Sequence, residues 1–281
     1  MNSKAKAGII GVGFVGGALK KYFESIKQPL VVYDKYKKLG SVKEVNLADV
    51  VFIATPTPFS PKGGFDLSMV ENAIGVLEGK KIIVIKSTVL PGTTEALQKK
   101  YPRHKFMFNP EFLREISAYK DLIHPDRQLL GVTKESRSEA KKVMAILPRA
   151  PYEKIMPAAS AETVKYMANS FLALKVVFAN EFYDICQKLG VDYSQVKEAV
   201  TKDARIGDSH FDVSQDNYRG YGGSCFPKDV NAIIQDAEKR KVGTPLLKMM
   251  REINRGLLKA SGTSEEYFLA GKHKKDYEKK R

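Results

Sequence analysis

The sequence predicts an α/β fold, in which a parallel sheet flanked by helices is followed by an all-α region built round one long helix. Three observations carry this reading. Short apolar runs alternate with helical patterns over roughly the first half of the chain, as expected when helices make the crossovers of a parallel sheet. Glycines stand at positions 11, 13 and 16, directly after the first apolar run. Beyond Ala159 the strand-like runs stop, and 160–189 reads as a single helix about 45 Å long.

The run 5–10 reads as a buried strand, the glycines as a turn, and the residues up to Ser25 as a helix. A second strand at 30–33 ends at Asp34. Further strands are predicted at 50–54, 81–85, 105–108 and 128–132, and helices at 67–77, 93–99 and 136–147. Prolines 148, 151 and 157 are expected to break regular structure and mark a boundary. Ser160 is the expected N-cap of the long helix and Gly190 its stop. Shorter helices follow at 194–201, 228–239 and 244–258, with a polar, glycine-rich loop over 203–225. The expected domains are thus a Rossmann-like one at 1–155, a helical one at 156–262, and a solvated basic tail at 263–281 carrying Lys272, Lys274, Lys275, Lys279, Lys280 and Arg281.

Composition narrows the class. The 281 residues are 43% hydrophobic and 28% charged, which excludes collagen-like and wholly disordered chains. No apolar run reaches about 18 residues, so no transmembrane helix is expected, and the N-terminus lacks a signal-peptide pattern. Cys186 and Cys225 are the only cysteines, which suits a reducing cytoplasm. With 47 Lys and Arg against 32 Asp and Glu, the net charge is +15. No nucleic-acid-binding motif accompanies it, so the excess reads first as a solvated basic surface, with attraction of a small acidic ligand such as a nucleotide as the functional alternative. Neither a metal, a nucleic acid nor a membrane is expected as a partner.

Gly11-Val12-Gly13-Phe14-Val15-Gly16 fits G-x-G-x-x-G between a strand and a helix. Gly11 permits the turn, Gly13 the approach of a pyrophosphate, and Gly16 close helix–strand packing. The helix N-terminus then offers N–H groups to phosphate. Asp34, 18 residues after Gly16, can accept from adenosine ribose hydroxyls and favours NAD over its 2′-phosphorylated form. In the stretch 220–229, glycines are expected to bring Cys225 close to a ligand. A following helix and Lys228 both favour the thiolate, the reactive form of cysteine; a buried structural cysteine is the alternative. Cys186 reads as a core residue of the long helix. Lys165 and Asn169 share a helix face, where a lysine could stabilise an alkoxide and an asparagine orient a water; a solvated pair is the competing reading.

Eight segments in order together resemble the UDP-glucose/GDP-mannose dehydrogenase family: GVGFVG (11–16), ATPTP (54–58), KSTVLPGTT (86–94), NPEFLRE (109–115), PDRQLLG (125–131), ETVKYMANSFLALKVVFANE (162–181), DARIG (203–207) and YGGSCFPKD (221–229). The resemblance implies oxidation of the C6 alcohol of a nucleotide sugar, most simply UDP-glucose, to a carboxylate with two NAD and one water. It implies that Cys225 is the nucleophile, holding first a thiohemiacetal and then a thioester. Lys165 would stabilise the C6 oxyanion, Asn169 and Asp229 would place the sugar or the water, and Thr88 and Glu111 would handle the hydrolytic water. Gly11, Gly13, Phe14, Val15, Gly16, Asp34, Thr55, Pro56, Thr57, Ser87, Thr88, Glu115 and Lys228 would hold NAD. Glu111, Phe112, Leu113, Lys165, Asn169, Tyr221 and Gly222 would contact the substrate, and Arg205 its pyrophosphate across a homodimer interface.

The sequence departs from the family in three places. It stops soon after 244–258, so the family's C-terminal UDP-binding domain is expected to be absent. Asp34 and Val50 are unusually close, and Leu90 and Ile116 stand where the family has Pro and Gly. Two other readings compete: a β-hydroxyacid-type dehydrogenase that needs a lysine but no cysteine, and a non-catalytic or partner-dependent NAD-binding homologue.

Overall fold

The computed structural model describes residues 5–60, 64–114, 117–215 and 217–272. The chain divides into two compact units, Met1–Lys165 and Tyr166–Arg281.

The first unit opens with β1 (Ala7–Ile10), α1 (Phe14–Ser25), β2 (Leu30–Asp34), β3 (Leu39–Gly40), α2 (Val42–Val45) and β4 (Val50–Ile53). A small hairpin, β5 (Phe59–Ser60) with β6 (Gly64–Phe65), precedes α3 (Ser68–Gly75), β7 (Ile82–Ile85), α4 (Thr93–Lys100) and β8 (Lys105–Phe108). Then come α5 (Ala118–Ile123), β9 (Arg127–Val132), α6 (Ala140–Met144) and β10 (Tyr152–Pro157). Eight strands form one sheet in the order β10-β9-β8-β7-β4-β1-β2-β3. Every residue of β1, β4 and β7 is buried, as a central parallel strand covered on both faces requires. Alternate residues serve opposite faces: Ile9, Phe52, Val84 and Met107 pack with α1 through Leu19 and Phe23, whereas Ile10, Ile53, Ile85 and Phe108 pack with Ile74 of α3 and Leu97 of α4.

The sheet is mainly parallel, but β9 runs antiparallel to β8, and β10 is parallel to β9. The link from β8 to β9 contains only the six-residue α5. This link returns the chain to the edge at which β8 ended, so β9 runs back along it. The predicted helix 136–147 contracts to α6 behind a short 3-10 turn. Residues 148–157 do not lack regular structure as expected. They contain β10, which tolerates Pro157 because it is an edge strand. The long helix α7 (Ala158–Leu189) follows β10 directly, which places Ser160 inside the helix rather than at its cap.

The second unit takes most of α7, then α8 (Tyr193–Thr201), a hairpin of β11 (Ser214–Gln215) and β12 (Tyr218–Arg219), α9 (Phe226–Lys239), α10 (Pro245–Ala260) and α11 (Glu265–Leu269). Ala173 and Val177 of α7 pack with Val230 and Ile234 of α9 and Met250 of α10. Cys186 is buried beside Tyr193 and Phe211. The segment expected as a solvated tail from 263 begins instead with α11: Ser264 caps it, and its buried Glu265 pairs with Arg255 at 2.7 Å. Lys274, Lys275, Lys279, Lys280 and Arg281 lie outside the described residues. Among the described residues no helix is long and apolar enough to cross a membrane.

Within the first unit, the start of α7 is tied to α4 by one carboxylate. Glu162, fully buried, accepts from Gly92 N at 2.6 Å, Thr94 N at 2.9 Å and Thr94 Oγ1 at 2.6 Å. Burial outweighs these donors and pushes the carboxyl up from 4.5 to about 7. Between those values the folded chain holds a proton that the unfolded chain has released, so this group's contribution to stability falls as pH rises and levels off above about 7. Calorimetric scans from pH 4.5 to 7.5 therefore have a defined outcome: wild type loses ground relative to Glu162→Gln as pH rises. A pH-independent difference would contradict the assignment.

Candidate active site

The four central strands of the first unit end level. Ile10, Ile53, Ile85 and Phe108 pair across β1, β4, β7 and β8, so the loops that follow all leave one edge of the sheet. The chain runs from β1 to β2 on one side and returns to β4 on the other, so the strand order reverses at β1 and β4, where open α/β sheets bind ligands.

The glycine loop leaves β1 there. Gly11 has φ +88°, and a Cβ on it would meet Ala54 O at 2.8 Å. A Cβ on Gly16 would lie 1.9 Å from Gly11 O, so the first turn of α1 fits only with glycine. Gly13 has nothing within 4 Å of a built Cβ. No side chain caps α1 and its first turn, which includes Phe14 and Val15, contains no acid. Open backbone N–H groups beside clear space suit the pyrophosphate of NAD. Asp34 ends β2 and braces this loop: it accepts from Val12 N at 2.8 Å, Tyr36 N at 3.0 Å and Lys37 N at 2.9 Å. A carboxylate offers about four acceptor positions, which leaves one for a ribose hydroxyl.

Beyond β4 and β7 the hydroxyls converge. Ser87 Oγ donates to Thr55 O at 2.7 Å and lies 3.5 Å from Thr55 Oγ1, and Thr57 Oγ1 donates to Thr88 O at 2.8 Å. Pro56, between them, is exposed.

Beyond β8 lies a buried ion pair. Lys165, 4% exposed, places Nζ 2.7 Å from both Oε1 and the carbonyl oxygen of Glu111, itself 8% exposed. The other oxygen of Glu111 accepts from Leu113 N at 3.1 Å. The Phe112 ring lies under the Arg127 guanidinium at 3.9 Å and within 5.8 Å of Lys165 Nζ. Glu115 lies outside the described residues, as does Ile116. The sequence reading missed a third charge in this unit: Lys86, at the end of β7, is 3% exposed and donates to Asn109 Oδ1 at 2.8 Å. The available signal was a lysine closing an otherwise apolar strand run, IIVIK.

The second unit gathers a separate set. Cys225 is the N-cap residue of α9, partly exposed and not disulfide-bonded. Asp229, fully buried in the first turn, accepts from Lys228 Nζ at 2.7 Å and from Asn169 Nδ2 at 2.6 Å. The Asp229 carboxylate thereby fixes the Asn169 amide with its oxygen facing away as an acceptor.

Two expected ligand contacts, Tyr221 and Gly222, are used otherwise. Tyr221 is a core side chain against Phe226, and its backbone N–H and C=O are both taken by Asn254, at 2.7 and 3.0 Å. Gly222 is required by packing, because a Cβ there would meet the Phe268 ring at 2.6 Å. The glycines therefore do not all serve ligand approach; of those before Cys225, Gly223, at φ +72°, has no neighbour within 4 Å of a built Cβ. Arg205, with an 89% exposed side chain, pairs with Asp203 at 2.6 Å.

Residues 36–147 match the NAD binding domain of the UDP-glucose/GDP-mannose dehydrogenase family, and residues 159–256 match its central domain. A UDP-glucose 6-dehydrogenase of Rickettsia conorii is 36% identical over 221 residues, covering 75% of this chain and 50% of that protein. The structure of a UDP-glucose dehydrogenase from Pyrobaculum islandicum superposes with a TM-score of 0.78 at 32% identity, covering 90% of this chain and 69% of that one. A UDP-D-ManNAc dehydrogenase from Pyrococcus horikoshii, at 22% identity and a TM-score of 0.76, shares the fold. The chain thus spans about half the length of the Rickettsia relative.

The buried Glu111–Lys165 pair has a testable cost. Glu111→Ala removes the carboxylate that meets Lys165 Nζ in this buried pair and is expected to lower stability by about 3–5 kcal/mol in urea titrations. Replacing both residues, as Glu111→Leu with Lys165→Met, is expected to restore most of that. A loss for the double variant equal to the single one would refute the pairing.

Proposed function

Because the chain belongs to the UDP-glucose/GDP-mannose dehydrogenase family, we propose that it carries out NAD-dependent oxidation of the C6 alcohol of a nucleotide sugar, UDP-glucose first among them, to the carboxylate. The observation that carries the reading is the position of Cys225. Its partly exposed thiol sits at the N-terminus of a 14-residue helix, where the partial positive charge favours thiolate.

The glycine loop, Asp34, Thr55, Pro56, Thr57, Ser87, Thr88 and Lys228 hold NAD, which when bound supplies the hydride acceptor. Lys165 faces the C6 oxygen and stabilises negative charge on it. Glu111, Phe112 and Leu113 line the sugar side. Asn169, oriented by Asp229, offers its amide oxygen to the sugar or the water. The C6 alcohol would lose hydride to NAD to give the aldehyde, to whose carbon Cys225 Sγ adds; the thiohemiacetal would lose a second hydride, to a second NAD, to give a thioester, and water then displaces the thiolate to leave the carboxylate. Glu111, with Thr88, serves as base toward that water.

We also read the chain as a homodimer. Met167, Phe171, Phe178, Phe182, Ile185 and Leu189 are exposed along α7, Met167 by 76%. Their spacings of three, four and seven form one apolar seam, the pattern with which a helix packs on a copy of itself. In that assembly the exposed Arg205 reaches the pyrophosphate bound to the other subunit.

The test is NADH release. UDP-glucose is expected to yield two NADH per sugar, and Cys225→Ser to lose carboxylate formation by at least about 10³-fold while binding NAD unchanged. One NADH per sugar, or full activity of Cys225→Ser, would point to a lysine-dependent dehydrogenase instead. NAD binding with no turnover of any nucleotide sugar would leave a dinucleotide-binding protein.

A further inference from the structure

Lys86 is a buried cation that the proposed chemistry does not use. Its ammonium carries three donors, and among the described residues it makes one hydrogen bond, to the neutral amide of Asn109 at 2.8 Å, and no ion pair. Asn109 is itself committed: its Nδ2 donates to Gln128 Oε1 at 2.7 Å and Leu129 O at 2.6 Å. The amide is therefore held by β9 and turns its oxygen to the lysine. Lys86 follows β7 and Glu111 lies three residues past β8, at the same edge of the sheet. A buried lysine with so little compensation is costly, and a hydrophobic residue would close β7 more cheaply.

We propose that Lys86 is a positioning residue of the Glu111–Lys165 site, a buried cation whose charge adds to that of Lys165 beside the Glu111 carboxylate. The proposal rests on the dehydrogenase reading for its use. A second fixed positive charge favours negative charge on the oxygen that Lys165 meets, whether alkoxide or product carboxylate, and does so without touching the substrate. The facing charges bear this out in kind. Burial lowers the Lys86 proton affinity from 10.5 to about 8, with Lys165 pushing the same way and Glu111 opposing. Lys86 is thus charged at neutral pH and sheds its charge in mildly alkaline solution.

Two measurements on the full chain decide it, with Lys86→Met as the neutral variant and Lys86→Arg as the charged one. The first needs no activity. Between about pH 8 and 10.5 the unfolded chain binds a proton that the folded chain has lost, so wild type gains stability relative to Lys86→Met as pH rises through that window. The melting temperature difference is expected to move by about 2 °C or more in favour of wild type; a flat difference overturns the proposal. The second is the pH profile of NADH release with UDP-glucose. Wild-type kcat is expected to fall above about pH 8, Lys86→Met to be about tenfold lower and flat there, and Lys86→Arg to hold its rate to higher pH. The KM for NAD is expected to stay unchanged in all three. Parallel profiles would make Lys86 a clamp on Asn109 alone and overturn the proposal. If wild type turns over no nucleotide sugar, the dehydrogenase reading fails separately, and the stability difference by itself upholds or overturns the charge at Lys86.

Discussion

Level strand ends govern the first unit. Central parallel strands, covered on both faces, accept only apolar residues, and β4 and β7 read VVFI and IIVI accordingly. Polar chemistry can begin only where the strands stop. Because Ile10, Ile53, Ile85 and Phe108 are paired neighbours, it begins at one edge for all of them. Glycine loop, threonines, serine and Glu111 leave the same edge because register makes them do so, although Gly11 and Glu111 are 100 positions apart.

Along the long helix α7, Glu162 and Lys165 answer the loops of the first unit, and Asn169 answers a residue of the second. Glu162, Lys165 and Asn169 are spaced by three and four residues, so they share one face. Each is buried, and each is answered by a specific partner: the α4 N-terminus, Glu111 and Asp229 respectively. Buried polar groups of this kind contribute little net stability compared with apolar replacements. What they contribute is orientation, since each side chain has one well-bonded placement and a costly loss if its partner is removed.

The glycines show that one residue type serves different ends. In the first loop the backbone needs the room: Gly11 and Gly16 would collide with main-chain oxygens. Before Cys225 the constraint is tertiary, with Gly222 set against the Phe268 ring of α11. The α11 helix, whose buried Glu265 is neutralised by Arg255, is therefore part of what shapes the cysteine loop.

Periodicity alone determined much of this protein. The alternation of apolar runs and helices, the long helix and the glycine turn are local patterns, and local patterns are written in the order of residues. The resemblance across eight segments added the family and the roles proposed for Cys225, Lys165 and Asn169. Only the tertiary structure decided the reversal of β9, which depends on where the chain re-enters the sheet. The same holds for β10, which stands among prolines because an edge strand leaves one side unpaired. Tertiary packing likewise turned Tyr221 into the core and Gly222 against an aromatic ring. Above all, it decided which charges are buried: Lys165 and Glu162 look in sequence like any solvated side chain, Lys86 is marked only by the apolar run it closes, and desolvation is a property of what surrounds a residue, which its neighbours in the chain do not specify.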